Sequence, residues 1–312
     1  MVRITTHESP TLAVIERKES VKEICRNFHR MLEWCNAVKY ANILEYIMFF
    51  FYACFRGKHV KRLKQWSACT GVPAHQLLAL NMSYELAQAG AAFPFGCTSI
   101  MMRNTEGHIV HVRCVDWALD GMGKHTVAID NSRYVSITTP GALGSISGMV
   151  RGKFSITLNW ASPSRMPRVG ASPLTLIQRI LEGAESYEEA VRMAEETKLT
   201  SSCFFSIAGA VDACVVERTQ RRYSTRRLST EPLIVTNHYN TKFMQKHNKH
   251  IEKGEYAFSL SRFELATAAA KDFEGDDYMS LLNGEDILNG NTVHQMVFHP
   301  REGQYEAAAF NH

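Results

Sequence analysis

The period of the apolar positions changes once along the chain. In the first part Val21, Ile24, Cys25, Phe28, Met31, Leu32 and Cys35 recur at helical spacing. Ser20 followed by Glu23 reads as a capping box at the start of that helix. Helical texture, with breaks, is predicted to about Gln65. Within it Tyr46 to Phe55 (YIMFFFYACF) is nearly all apolar and is followed by Arg56, Lys58, Lys61, Arg62 and Lys64. Two readings fit: a peripheral membrane contact through 46–64, with basic residues at anionic headgroups, or a buried helix with a solvated basic end. Thr70-Gly71-Val72-Pro73 is a break, and a helix is predicted over Ala74 to Gln88 with Leu77, Leu78, Leu80 and Tyr84 inward. The small, Gly- and Pro-bearing stretch Ala89 to Gly96 reads as a loop ending against Cys97.

From Cys97 onward the texture is that of short strands. CTSIMMRNTEGHIVHVRCVD (Cys97 to Asp116) predicts a hairpin turning at Thr105-Glu106-Gly107. Its second strand returns Arg113 and Asp116 to the neighbourhood of Cys97, and their spacing of three puts them on opposite strand faces. Further strands are predicted at His125 to Asp130, Tyr134 to Thr138, Lys153 to Leu158, Cys203 to Ala208, Ala213 to Glu217 and Leu233 to Thr236. A terminal hairpin is predicted from Thr292 to Phe298 and Gln304 to Ala309. Two helices interrupt the strands: one opened by Ser172-Pro173, and one by a capping box of Ser186 with Glu189. Strands, two helices, then strands predict an α+β fold with helices packed on antiparallel sheets.

Composition narrows the function classes. The 312 residues are 45% hydrophobic and 21% charged, an ordinary globular balance. A net charge of +4 without a basic stripe does not point to nucleic acid. The first residues contain no apolar signal region, so a cytoplasmic or peripheral-membrane setting is expected and a lysosomal or secreted one is not supported. The eight cysteines show no paired spacing, and most are read as free buried thiols. Neither phosphate-loop motif occurs, and Gly144 to Gly148 (GSISG) has Ile146 where a nucleophile elbow needs serine. His108 and His111 fall on opposite faces of a strand, and His238, His247 and His250 lie in a polar Lys-rich stretch, so no metal and no cofactor is expected.

Cys97 is then the candidate for chemistry. A cysteine at a Gly–Cys junction can attack the preceding carbonyl; an N-to-S acyl shift and ester hydrolysis would cut the chain and free the α-amine of Cys97. An α-amine, with a reference pKa of about 8, suits a general base near neutrality better than a lysine. One residue would then supply both nucleophile and base, with Arg113 and Asp116 tuning and holding the amine. On spacing alone, a lone cysteine is more often a core thiol than a catalytic one.

The motifs carry a resemblance. Cys97-Thr98-Ser99-Ile100, Gly107 to His111, Arg113 and Asp116 resemble the CTSI…GH..H.RN.D signature of the acid ceramidase and N-acylethanolamine acid amidase family, within the N-terminal-nucleophile hydrolases that include choloylglycine hydrolases. TGVP (Thr70 to Pro73), NMSYEL (Asn81 to Leu86), GKFSITLN (Gly152 to Asn159), SYEEA (Ser186 to Ala190) and VTN (Val235 to Asn237) resemble further stretches of that family, and Ser261-Arg262 its late arginine. The resemblance implies a four-layer αββα sandwich over 97–312, preceded by a helical pro-segment, 1–96, that stays associated after autocleavage between Gly96 and Cys97. It implies Cys97 as nucleophile, Asn237 as oxyanion donor, Arg262 as support, and Asn159, Trp160 and Trp117 as substrate-binding residues. The implied reaction is hydrolysis of an N-acyl lipid amide through a thioester. Alternatives are an acyltransferase using the same thioester, and a lipid-binding relative that stays uncleaved. The chain departs from the family pattern at Cys114, where the family has Asn, and at Trp160-Ala161, where it has Glu-Arg.

Overall fold

The computed structural model describes residues 1–34, 57–89, 95–117, 121–162 and 166–311. Two sheets form its centre. The larger has eight strands in the order β1-β4-β5-β6-β7-β8-β9-β10: β1 (Thr5–His7), β4 (Val127–Asp130), β5 (Tyr134–Thr138), β6 (Ser147–Val150), β7 (Phe154–Trp160), β8 (Cys203–Ala208), β9 (Ala213–Arg218) and β10 (Tyr223–Arg227). The smaller has five in the order β11-β2-β3-β12-β13: β11 (Leu233–Val235), β2 (Phe95–Arg103), β3 (Ile109–Trp117), β12 (Thr292–His299) and β13 (Gln304–Ala309). Every pairing is antiparallel except β1 with β4.

The sheets face one another, β2 lying over β7, with β3 over β8 and β11 over β9. Outside the large sheet pack α6 (Pro173–Gly183) and α7 (Tyr187–Glu196); outside the small sheet packs α8 (Lys253–Lys271). This is the expected α+β, four-layer αββα order. The 11- and 10-residue helices of the first layer present apolar stripes, Leu176, Ile177, Ile180 and Leu181, then Ala190, Val191 and Ala194, to strands β6–β9. Ser186 caps α7 as predicted, its Oγ accepting from Glu189 N, but the Glu189 carboxylate accepts from Glu185 N rather than from the cap residue.

The first 89 residues are more tightly woven in than a pro-segment of helices alone. They supply the edge strand β1 and five described helices: α1 (Pro10–Glu16), α2 (Lys18–Trp34), α3 (Gly57–Thr70), α4 (Ala74–Asn81) and α5 (Ser83–Gln88). Val14, Val21, Leu63, Trp66 and Leu77 enter one apolar cluster with Val127, Phe154 and Leu158 of the large sheet. Ser20 is not a cap: α2 starts at Lys18, Ser20 Oγ accepts from Arg17 Nε, and Glu23 instead receives Lys124. The predicted helix 74–88 divides at Met82. The apolar run 46–55 lies outside the described residues. Of its basic sequel, Lys58, Lys61, Arg62 and Lys64 lie in α3, where Val60, Leu63 and Trp66 are buried and Lys61 and Lys64 are exposed, the arrangement of a core helix with a solvated face. Among the described residues no helix is long and apolar enough to cross a membrane.

One sequence-based boundary moves near Cys97. The strand carrying it starts at Phe95, so the Gly96–Cys97 bond lies within β2 and not at a loop end. Phe95 pairs with Trp117, Gly96 with Asp116 and Cys97 with Val115.

Candidate functional site

The β2–β3 register places Cys97 and Arg113 on one face of the small sheet, turned toward the large sheet, and leaves Asp116 on the other. Arg113 is fully buried, and its Nη2 donates to Cys97 Sγ at 3.3 Å. Its Nη1 donates to Asn159 Oδ1 at 2.6 Å and to Ser99 Oγ at 3.4 Å. Burial pulls the guanidinium down from its usual pKa, and Cys97, Cys114 and Asp116 draw it back. Below it His111, accepted between Ser155 Oγ and Thr157 Oγ1, is pushed down to about 3 by burial and by Arg113, so it adds no second cation.

The opposite face holds the backbone of the Gly96–Cys97 junction. Cys97 N donates to Asn237 Oδ1 at 3.0 Å, and Arg262 Nη2 donates to the same oxygen at 2.6 Å. Arg262 Nη1 donates to Cys97 O at 2.7 Å and to Thr98 Oγ1 at 3.1 Å. Arg262 sits in the middle of α8 at 2% exposure. Ser259, one turn earlier on α8, accepts from Asn237 N at 2.9 Å and fixes the chain leaving β11. Asn237 Nδ2 donates to Trp160 O at 2.9 Å, so one of its two amide protons is committed to the backbone.

Asp116 fills the space beneath Gly96. A Cβ on Gly96 would stand 2.5 Å from Asp116 Oδ2, which is the steric reason for glycine there. Oδ1 accepts from Thr292 Oγ1 at 2.8 Å, whereas Oδ2 is buried without a hydrogen-bond partner and lies 4.0 Å from Arg262 Nη1. Burial pushes this carboxyl up from its ordinary value; Arg262 and Thr292 pull it back. Cys114, in the place of the family's Asn, points the same way. It lies near Asp116 Oδ1 and Ile287 O, and burial raises its thiol far above the ordinary range, leaving it a neutral core group.

Cys97 also opens on an apolar cavity of about 80 Å³. Its walls are Val115 and Trp117 of β3, Leu158 and Trp160 of β7, Ile146 and Leu174, with Val293 and His294 of β12; Leu80, Asn81, Ser83 and Tyr84 of α4 and α5 close it. Tyr84 meets Trp160 edge-on, ring centres 5.0 Å apart. The two tryptophans expected at the substrate are therefore on the cavity wall. Asn159 is not: β7 alternation turns it from the face of Leu158 and Trp160, and its amide is spent on Ser99, Arg113, Val235 O and Thr236 O. It holds Arg113 and does not line the cavity.

Five expected residues, Cys97, Arg113, Asp116, Asn237 and Arg262, thus converge on the Gly96–Cys97 junction. Sequence reasoning missed the contribution of α4 and α5 to the cavity, Thr292 and Ser259 as anchors, and His294. For His294 a signal existed: alternation through TVHQMVFH puts it in the apolar row with Met296 and Phe298. His238, His247 and His250 do not gather; among the described residues, the group that could share an ion is Glu106, His108 and Glu302, where Arg301 is held against His108.

The family described as acyl-coenzyme A:6-aminopenicillanic acid acyl-transferase matches residues 102–306. Acid ceramidase of Heterocephalus glaber is 28% identical over 199 residues, 54% of this chain and 49% of that protein, so the alignment spans about half of that relative. Acid ceramidase of Homo sapiens is 22% identical over 288 residues, 81% of this chain and 70% of that protein. The solved Caenorhabditis elegans N-acylethanolamine-hydrolyzing acid amidase ortholog superposes with a TM-score of 0.54 at 20% identity, covering 69% of this chain and 100% of that one, a likeness of fold.

Proposed function

This chain belongs to the acyl-coenzyme A:6-aminopenicillanic acid acyl-transferase family, and from that premise we propose that it is a cysteine amidase that matures by cutting its own Gly96–Cys97 bond and then hydrolyses N-acyl lipid amides. The observation that carries the reading is the meeting of three things at one residue: a thiol contacted by a buried guanidinium, a Gly–Cys peptide with no room for a side chain on its glycine, and an apolar cavity.

In maturation Cys97 Sγ attacks the Gly96 carbonyl carbon, the C–N bond breaks, and the nitrogen takes a proton. Water then hydrolyses the resulting thioester to a Gly96 carboxylate, a free thiol and a free amine. The groups around the new amine are in place: Asn237 Oδ1 already accepts from this nitrogen, and the partnerless Asp116 Oδ2 lies under Gly96. That amine serves as the base for the second reaction. Cys97 Sγ attacks the substrate's amide carbonyl, the second N–H of Asn237 Nδ2 supports the oxyanion, the protonated amine leaves, and water releases the fatty acid. An enclosed wall of Leu80, Tyr84, Ile146, Leu158 and Leu174 suits an acyl chain. Acid ceramidases among the relatives support a lipid amide as substrate.

The test is intact mass and N-terminal sequencing of the purified protein from acid to neutral pH, beside Cys97→Ala, followed by incubation with N-acyl amides. A fragment beginning Cys-Thr-Ser-Ile that is absent in Cys97→Ala, and fatty acid release by the cut form, are expected. A single uncut chain under every condition would overturn the maturation step. The family's description favours a second reading, acyl transfer to an amine; adding a primary amine and looking for a new amide beside fatty acid separates the two.

A further inference from the structure

His294 is the polar group in the cavity that the amidase reading leaves without work. It sits on β12 opposite Val115, which in turn sits opposite Cys97, so the three form one row across three adjacent strands. Neighbours in such a row are about 5 Å apart, which sets His294 roughly 10 Å from Cys97 along the wall. The side chain is 4% exposed, lines the cavity, and has no hydrogen-bond partner on Nδ1 or Nε2. Two other polar groups on this wall are occupied: Asn81 donates to Leu77 O and Gly141 O and accepts from Leu143 N, and Thr138 donates to Gly144 O.

Resting on the amidase reading, we propose that His294 is a specificity residue that recognises a neutral hydroxyl on the substrate, a few bonds from the scissile amide. An imidazole buried with both nitrogens unpaired is unfavourable until something pairs with it. A neutral ring offers one donor and one acceptor, and a hydroxyl can meet either nitrogen in either tautomer, whereas a carbonyl meets one. Burial and the Arg113 charge hold the ring neutral by lowering its pKa to about 3. A carboxylate partner is disfavoured because the rest of the wall is apolar and would desolvate it. The hydroxyl can belong to the acyl half or to the amine half, and the experiment separates these sources.

Three amides of one chain length are compared on the matured enzyme: a plain acyl alkylamide, its partner with a hydroxyl on the amine half, and its partner with a hydroxyl near the carboxyl end of the acyl half. The expected result is that one hydroxylated amide exceeds the plain one in kcat/KM by on the order of tenfold. That ratio should fall to near one in His294→Phe and be partly kept in His294→Gln, and which partner is preferred identifies the half. Equal kcat/KM for all three amides in the unaltered enzyme overturns the proposal whether or not the variants fold. An undiminished ratio in both His294→Phe and His294→Gln also overturns it. Absence of turnover for every amide by the cut enzyme overturns the amidase reading first and takes this inference with it.

Discussion

Gly96→Ala tests the packing at the junction most directly. It is best made in a Cys97→Ala background, so that the chain stays whole and stability is not confused with cleavage. The new Cβ would stand 2.5 Å from Asp116 Oδ2, 3.2 Å from its Cγ and 3.1 Å from its Cβ. The carboxylate cannot swing away cheaply, because Thr292 holds Oδ1 at 2.8 Å and the group is only 3% exposed. Overpacking of a filled interior costs about 1–3 kcal/mol, and losing a hydrogen bond to a charged group about 1.5–3 kcal/mol. The sum, roughly 2.5–6 kcal/mol, corresponds to a fall of about 5–12 °C in Tm at roughly 2 °C per kcal/mol. The assay is thermal unfolding of Gly96→Ala, Asp116→Ala and the double variant, arranged as a cycle. Asp116→Ala removes the 2.5 Å contact and leaves the 3.1 Å one, which a small shift relieves, so Gly96→Ala should cost far less in that background. Equal costs in both backgrounds, or a Gly96→Ala protein as stable as its parent, would refute the reasoning. With Cys97 restored, Gly96→Ala is expected to slow the appearance of the Cys97-headed fragment.

Arg113→Lys keeps a cation but cannot reach Cys97 Sγ and Asn159 Oδ1 together, and we expect at least a hundredfold loss of amide turnover, read by fatty acid release. Asn237→Leu strands Cys97 N, Arg262 Nη2 and Trp160 O, and should lower stability by about 3 kcal/mol or more in urea titration while blocking maturation. His294 has a folded pKa of about 3 against an ordinary 6.5, so its contribution to stability is complete above 6.5 and is lost as pH falls below it. Glu85, whose carboxyl is raised by burial, works in the opposite sense, and the comparison of wild type with His294→Phe removes it. Between pH 7.5 and 5.5 the His294→Phe protein should lose about 1.4 kcal/mol less than wild type; parallel curves would exclude a buried neutral ring. Ala142→Phe narrows the cavity and should shorten the longest acyl chain that is cleaved, with the rate of self-cutting unchanged.

Much of this architecture could be read from pattern. Strands with clean alternation or dense β-branched and aromatic content, such as Tyr134–Thr138, Cys203–Ala208 and Gln304–Ala309, lie where period-2 reading puts them. Helix α8 escaped because the stripe it buries is Ser259, Arg262, Ala266 and Ala270, small or charged, so a search for apolar periodicity finds nothing there. Strand β1 escaped because three residues carry no period, and its partner β4 is more than a hundred residues away. In the site, spacing alone showed that Arg113 and Asp116 take opposite faces of β3. It could not show that each face serves the same bond, Arg113 through the thiol and Asp116 through the missing side chain of Gly96. Asn159 marks the same limit: its place in a motif does not tell a residue that holds an arginine from one on the cavity wall.

The placement of the Gly96–Cys97 bond inside a paired strand gives the cut a direction. The proposed hydrolysis would place a carboxylate at Gly96, against an Asp116 that burial already makes reluctant to ionise, with Arg262 as the shared cation. Two carboxyls that share one cation cannot both ionise freely, so the new carboxylate and Asp116 would compete for Arg262. We therefore expect the severed end, Phe95-Gly96, to be driven off its partners Trp117 and Asp116, unzipping the first rungs of β2. Trp117 is cavity wall, so the same eviction would widen the entrance beside the thiol. The precursor would then carry its own plug, and the reaction that arms the nucleophile would also be the one that throws the plug out and bars its return.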